Sequence, residues 1–158
     1  MGDFFAIGIV RGKNKHNVGT LYRSARLMGA SFIFTVGKRY PLQSSDTTKS
    51  HRHIPHFEFE SMQDLVAHLP YGCRLVGIEL DERSKPLHEY RHPRNCCYLL
   101  GAEDHGLTKE QRLMCHELVE IHGPANCLNV AVAGSILMYD RLRQFNRQIA
   151  SLTHKEVA

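Results

Sequence analysis

Three short segments of the 158-residue chain carry residue types that could do chemistry. The first is Asn17-Val18-Gly19-Thr20-Leu21-Tyr22-Arg23. Asn17 sits where a helix cap belongs, Gly19 permits close backbone approach in the first turn, and Arg23 lies almost two turns further on. The second, Gly101-Ala102-Glu103-Asp104-His105-Gly106-Leu107-Thr108, follows an apolar run. Glycines at the C-terminal edge of a parallel strand often mark a ligand crevice, and acids there favour the start of the next helix. The third runs from Ile121 through His122, Gly123, Pro124, Ala125 and Asn126 to Cys127-Leu128-Asn129, then into Val130-Ala131-Val132-Ala133. It reads as a strand, a Gly-Pro turn and an Asn-capped helix of small residues. Each segment alone also reads as ordinary structure: a capped surface helix, a strand-to-helix turn, a connection.

Other chemistries are poorly served. Gly8 to Lys13 has three residues between its glycines, not four, and Asn14 stands where a phosphate loop needs Ser or Thr for magnesium. No GxGxxG follows the first strand, and His116-Glu117 lacks the second histidine of a zinc-protease helix. His51, His53 and His56 lie in a polar stretch without a nearby acid or thiol, so no metal site is expected there. Cys96 and Cys97 alternate across a strand and point to opposite faces, which makes them core residues, not a zinc pair.

The elements that must hold these segments follow from the apolar pattern. Phe4–Val10 is a continuous apolar run, as expected of a strand covered on both faces. Leu21, Ala25 and Met28 recur at helical spacing and Gly29 is a C-terminal stop. Ser31–Val36, Cys73–Leu80, Asn95–Leu100 and Leu118–Ile121 read as further strands, five in all. Residues 37 to 56 read as a long loop. Ser61 caps a short helix to Leu69. Thr108 with Gln111 forms a capping box on a helix to His116, and a long helix runs from Asn129 to about Arg147. Strands alternating with helices imply one α/β domain, residues 1–158, with a largely parallel sheet flanked by helices.

Composition agrees with a single domain able to bury a core. The formal net charge of +4 fits a nucleic-acid partner without demanding one. Residues 11 to 26 concentrate Arg11, Lys13, Lys15, Arg23 and Arg26 with no acid among them, and Lys38, Arg39, Lys49 and Arg52 add a second basic stretch. Phosphate contacts from such runs would make binding fall with salt. Five cysteines in no regular framework argue against a secreted disulfide scaffold, and Cys73, Cys96, Cys97 and Cys115 have the apolar surroundings of buried thiols. Neither a signal peptide nor an apolar run of about 20 residues is present, so a cytoplasmic protein with no membrane partner is expected.

Together, in this order and spacing, the three segments resemble the motifs of the SpoU (TrmH-like) branch of the SPOUT RNA methyltransferases. The motif N-x-G-x-x-x-R is matched by Asn17, Gly19 and Arg23, and G-x-E-x-x-G-L by Gly101, Glu103, Gly106 and Leu107. The third motif, with an Ile-Pro-Met start, a glycine and Ser-Leu-Asn-Val-Ser-Val-Ala, is matched by Ile121, Gly123 and the run from Cys127 to Ala133. Cys127 and Ala131 stand where that motif has serines, and His122 where it has proline. The resemblance covers nearly the whole chain. It implies a SPOUT fold with a C-terminal trefoil knot, a homodimer, and transfer of a methyl group from S-adenosyl-L-methionine to a ribose 2′-oxygen of RNA, tRNA ahead of rRNA. Arg23, Asn17, Glu103 and Asn129 are then the catalytic set. Ile78, Glu79, Leu100, Gly101, Ile121, Cys127 and Leu128 would hold the donor, with backbone groups reading the adenine edge and Ile121 and Leu128 sandwiching it. Arg11, Lys13, Lys15, Arg23 and Arg26 would hold RNA. The Val132, Ile136 and Tyr139 face of the last helix is the expected dimer surface. The competing reading, a catalytically weak RNA-binding protein that keeps the fold, rests on Cys127.

Overall fold

A computed structural model describes residues 3–11, 15–37, 53–124 and 128–153. Within them the order is β1 (Phe4–Val10), α1 (Lys15–Leu27), β2 (Phe32–Val36), β3 (His56–Phe59), α2 (Met62–Ala67), β4 (Arg74–Ile78), β5 (Lys85–Pro86), β6 (Asn95–Leu100), α3 (Lys109–Met114), β7 (Glu117–Glu120) and α4 (Val130–Thr153). A 3-10 turn, Leu87–Glu89, follows β5.

The seven strands pair in the order β3-β2-β1-β6-β4-β7-β5, every pair parallel. β1 and β6 sit near the centre, and their alternating side chains split between two cores. Phe5, Ile7, Ile9, Cys96, Tyr98 and Leu100 pack with Val18, Leu21 and Ala25 of α1 and Ala131, Leu137 and Met138 of α4. Ala6, Val10, Cys97 and Leu99 face the other way, onto Met62 and Leu65 of α2 and Leu107 and Cys115 beside α3. Helices therefore cover both faces, which is why the central strands read as unbroken apolar runs. Cys96 and Cys97 do part to opposite faces, and Cys73, Cys96, Cys97 and Cys115 are buried and free. Burial pushes Cys96 up to about 11 and Cys115 up to about 12, so neither is a nucleophile near neutral pH.

The local signals are kept. Ser61 Oγ accepts from the Asp64 N–H, and Thr108 and Gln111 form a reciprocal capping box. Gly29, at φ 81°, ends the turn after α1. Two strands extend the five expected: β3, which starts at the last residue of what reads as a long loop, and the two-residue β5. Both are sheet edges, held by pairing to β2 and β7. Residues 38–52 of that loop lie outside the described residues.

Helices α1 and α4 lie side by side and run the same way: Asn17 meets Asn129 near their starts and Ser24 meets Ser135 further on. Gly134 allows the close approach, since a Cβ there would lie 2.6 Å from Leu21 Cδ1. At the N-terminal end of the strands, buried His92 bridges the sheet to α4. It contacts the Tyr98 hydroxyl through Nδ1 and Asp140 Oδ2 through Nε2 at 3.2 Å. Beside it, buried Arg141 stacks between Phe5 and Phe145 and donates to the carbonyls of Pro93 and Arg94.

Candidate active site

The C-terminal ends of β4, β6 and β7, three adjacent strands, open into a cavity of about 930 Å³. Carboxyl ends of parallel strands are where open α/β sheets place ligands, because the turns into the following elements diverge there. Ile78, Leu100, Ile121, Leu128, Val130 and Ala133 supply apolar lining; Asn17, Glu79, Glu103, Asp104, His105, His122 and Asn129 supply polar groups.

The polar centre is a relay of three side chains from distant parts of the chain. Asn129 Nδ2 donates to Asn17 Oδ1 at 2.9 Å, and Asn17 Nδ2 donates to Glu103 Oε1 at 3.1 Å. Asn129 Oδ1 accepts from the Ala131 and Val132 N–H groups at 2.9 and 3.3 Å, so Asn129 caps α4 while joining the site. Asn17 departs from its expected place: it is the third residue of α1, which starts at Lys15, and it is buried. Its amide is engaged across the fold instead of at its own helix end.

The loop after β6 is built on close backbone contact. Ala102 and Gly106 exchange N–H···O bonds at 3.2 and 2.9 Å. A Cβ on Gly101 would lie 2.1 Å from the carbonyl carbon of Gly106, a clash of backbone against backbone. Gly106 is left-handed at φ 64° and abuts the Glu79 carboxylate.

Of the expected site residues, Asn17, Glu103 and Asn129 meet at the cavity, and Ile78, Glu79, Leu100, Gly101, Ile121 and Leu128 line it. Glu79 spends its backbone within the protein: its N–H donates to Val119 O at 3.0 Å and its carbonyl accepts from Ser84 Oγ at 2.7 Å. Cys127 and Lys13 lie outside the described residues, as does the side chain of Lys15. Arg23 does not line the cavity of its own chain. It is exposed on α1, about 9 Å along the axis from Asn17 at the helical rise and on a different face. Arg26 and Arg11 are exposed too, the latter leaving β1 at φ 44°. Sequence reasoning missed His105 and His122 as cavity residues, although both lie inside the motif segments; it placed Glu79 at the donor but missed the grip of its carboxylate on the Leu107 N–H. Among the described residues no group of His, Cys, Asp or Glu could hold a metal ion, and no helix is long and apolar enough to cross a membrane.

Residues 5–139 match the model of the SpoU rRNA Methylase family. The chain is 27% identical over 146 residues to the tRNA (guanosine(18)-2'-O)-methyltransferase of Escherichia coli (strain K12), across 89% of this chain and 63% of that protein. It is 33% identical over 142 residues to the 23S rRNA (guanosine-2'-O-)-methyltransferase RlmB of Bordetella pertussis, across 82% of this chain and 55% of that one. Its fold superposes with a TM-score of 0.77 and 25% identity on the SpoU methyltransferase AviRb from Streptomyces viridochromogenes in complex with AdoMet, covering 91% of this chain and 58% of that chain. The chain thus spans less than two-thirds of the length of these relatives.

Proposed function

Because the chain belongs to the SpoU rRNA Methylase family, we propose that it methylates a ribose 2′-oxygen of RNA with S-adenosyl-L-methionine as donor, tRNA ahead of rRNA. The observation that carries this reading is the convergence of the three motif segments on one cavity, joined by Asn129, Asn17 and Glu103.

The cavity suits the donor. It is large enough for a nucleoside with an amino-acid arm, apolar where an adenine would lie between Ile121 and Leu128, and acidic at Glu103 and Asp104, where a cationic ligand gains. When bound, the donor supplies an electrophilic methyl. The chain's own residues do the rest. Asn129 and Asn17 orient polar groups at the cavity mouth, and Glu103 holds Asn17 in place. Arg23 grips the phosphate beside the target ribose through its bidentate fork, leaving that phosphate or a water to take the 2′-hydroxyl proton. A guanidinium stays protonated and is a poor base. Arg11, Lys13, Lys15 and Arg26 extend the phosphate-binding surface.

The same reading includes the homodimer and the trefoil knot. Val132, Ile136 and Tyr139 on α4 and Leu128 just before it are exposed, at 44%, 39%, 59% and 46%. A second copy covers this stripe. Since Leu128 also lines the cavity, a partner seated there reaches the cavity mouth.

The test is incubation with methyl-labelled S-adenosylmethionine and total tRNA or rRNA, followed by mapping of 2′-O-methyl marks by mass spectrometry. Label at one ribose, lost in Arg23→Ala, is the expected result. Absence of both transfer and donor binding would overturn the reading.

A further inference from the structure

Leu107 ends the loop after β6, and its backbone is held on both sides. Its N–H donates to Glu79 Oε2 at 2.6 Å, and its carbonyl accepts from Arg112 Nη1 at 2.9 Å. The other Glu79 oxygen accepts from the Leu80 N–H at 3.0 Å. Arg112 Nε in turn lies 2.9 Å from Asp81 Oδ2. Glu79 and Asp81 follow β4; Leu107 follows β6 and Arg112 is on α3. Glu79, Leu107, Arg112 and Asp81 thus close a ring that fastens two walls of the cavity to each other. The fit is tight: a Cβ on Gly106 would lie 2.1 Å from Glu79 Oε2.

Bonds to ionised groups are the strong ones, and here the Glu79 carboxylate and the Arg112 guanidinium hold the backbone of a single loop residue. Asp81 is an ion-pair neighbour of Arg112 Nε, which itself makes no hydrogen bond among the described residues. We propose that Glu79 and Arg112 are positioning residues for the donor: through Leu107 they set the spacing of the β4 and β6 walls, and donor affinity depends on that spacing. The inference rests on the donor reading above. Arg112 is the sharper probe, because it does not line the cavity and acts on the site only through Leu107 and Asp81.

The experiment measures S-adenosylmethionine and S-adenosylhomocysteine binding by calorimetry on the whole chain, with Glu79→Gln, Arg112→Lys and the double variant, beside urea unfolding of each. Gln keeps the size of Glu but turns an amide N–H toward one of the two donors. Lys keeps the charge near Asp81 but has no fork to reach Leu107 as well. Each single variant is expected to weaken donor binding by about tenfold. The double variant should be no weaker than the worse single, because both act on one loop residue. A ring with only a structural role would lower the urea midpoint and leave affinity within about twofold of the parent in Arg112→Lys, and that result overturns the proposal. So does a double effect equal to the product of the singles. If Glu79→Gln does not fold, Arg112→Lys alone decides. Failure of the unsubstituted chain to bind either ligand would instead overturn the donor reading, and this proposal with it.

Discussion

Asn17 and Asn129 are joined side chain to side chain at 2.9 Å across 112 residues of sequence, and the bond connects the first turn of α1 to the cap of the parallel helix α4 at the cavity. Because Asn17 Nδ2 donates to Glu103, the starts of α1 and α4 and the loop after β6 are tied to one another.

Asn17→Ala breaks both contacts at once, so Asn129 and Glu103 each lose a partner. Removing a buried amide of this kind is expected to lower stability by about 1–3 kcal/mol in urea unfolding. Methyl transfer should fall by about a hundredfold, as expected when catalytic groups shift by about 1 Å. Activity unchanged against a clear loss of stability would confine Asn17 to holding the fold.

Arg23 gives the opposite pattern. Its side chain is exposed, so Arg23→Ala should leave stability within about 0.5 kcal/mol while methyl transfer falls by about a hundredfold or more. Arg23→Lys should not restore the rate, since an ammonium cannot form the bidentate contact. Single-turnover assays at saturating donor and saturating RNA separate this from a binding defect; full activity in Arg23→Ala would remove Arg23 from the mechanism.

Gly101→Ala forces a methyl group into the backbone of Gly106 at 2.1 Å. Neither side can yield as a flexible side chain would. The loop must open, and a cost of about 1–3 kcal/mol with loss of donor binding is expected, read by urea unfolding and calorimetry.

His92 makes stability depend on pH. Burial holds its pKa down to about 4 against 6.5 for the free side chain, despite the pull of Asp140. Between those values the unfolded chain binds more protons than the folded one, so stability is full above about pH 6.5 and declines as pH falls toward 4. The loss amounts to about 3 kcal/mol. Urea midpoints measured from pH 7 to 4 should flatten in His92→Gln; an unchanged slope would assign the acid sensitivity to other groups.

Ile136→Glu places a charge in the exposed stripe of α4 without touching the core, since Ile136 is 39% exposed. Sedimentation velocity should show a dimer in the parent and a monomer in the variant. A monomeric parent would leave the stripe for another partner.

Much of the fold is legible in the residues. β1, β4 and β6 lie between two helical layers, so their burial on both faces is written as continuous apolar runs. The ends of α2 and α3 are written in Ser61, Thr108 and Gln111, whose side chains serve their own helices. The edge strands β3 and β5 carry no such pattern. His-Phe-Glu-Phe and Lys-Pro are strands because β2 and β7 offer them hydrogen bonds. The site divides in the same way. By residue type and spacing alone, the sequence marked the three motif segments, which supply most of the cavity lining, while Ile78, Glu79 and Leu100 entered through the family resemblance. Only the tertiary structure decided that Asn17 serves Glu103 and Asn129 instead of its own helix, that the Glu79 carboxylate grips Leu107, and that Arg23 stands outside the cavity of its chain. The physical reason is range. Capping and amphipathic patterns act within a few residues and leave a local mark, whereas these contacts arise when the parallel sheet brings strand ends and helix starts from distant parts of the chain to one edge.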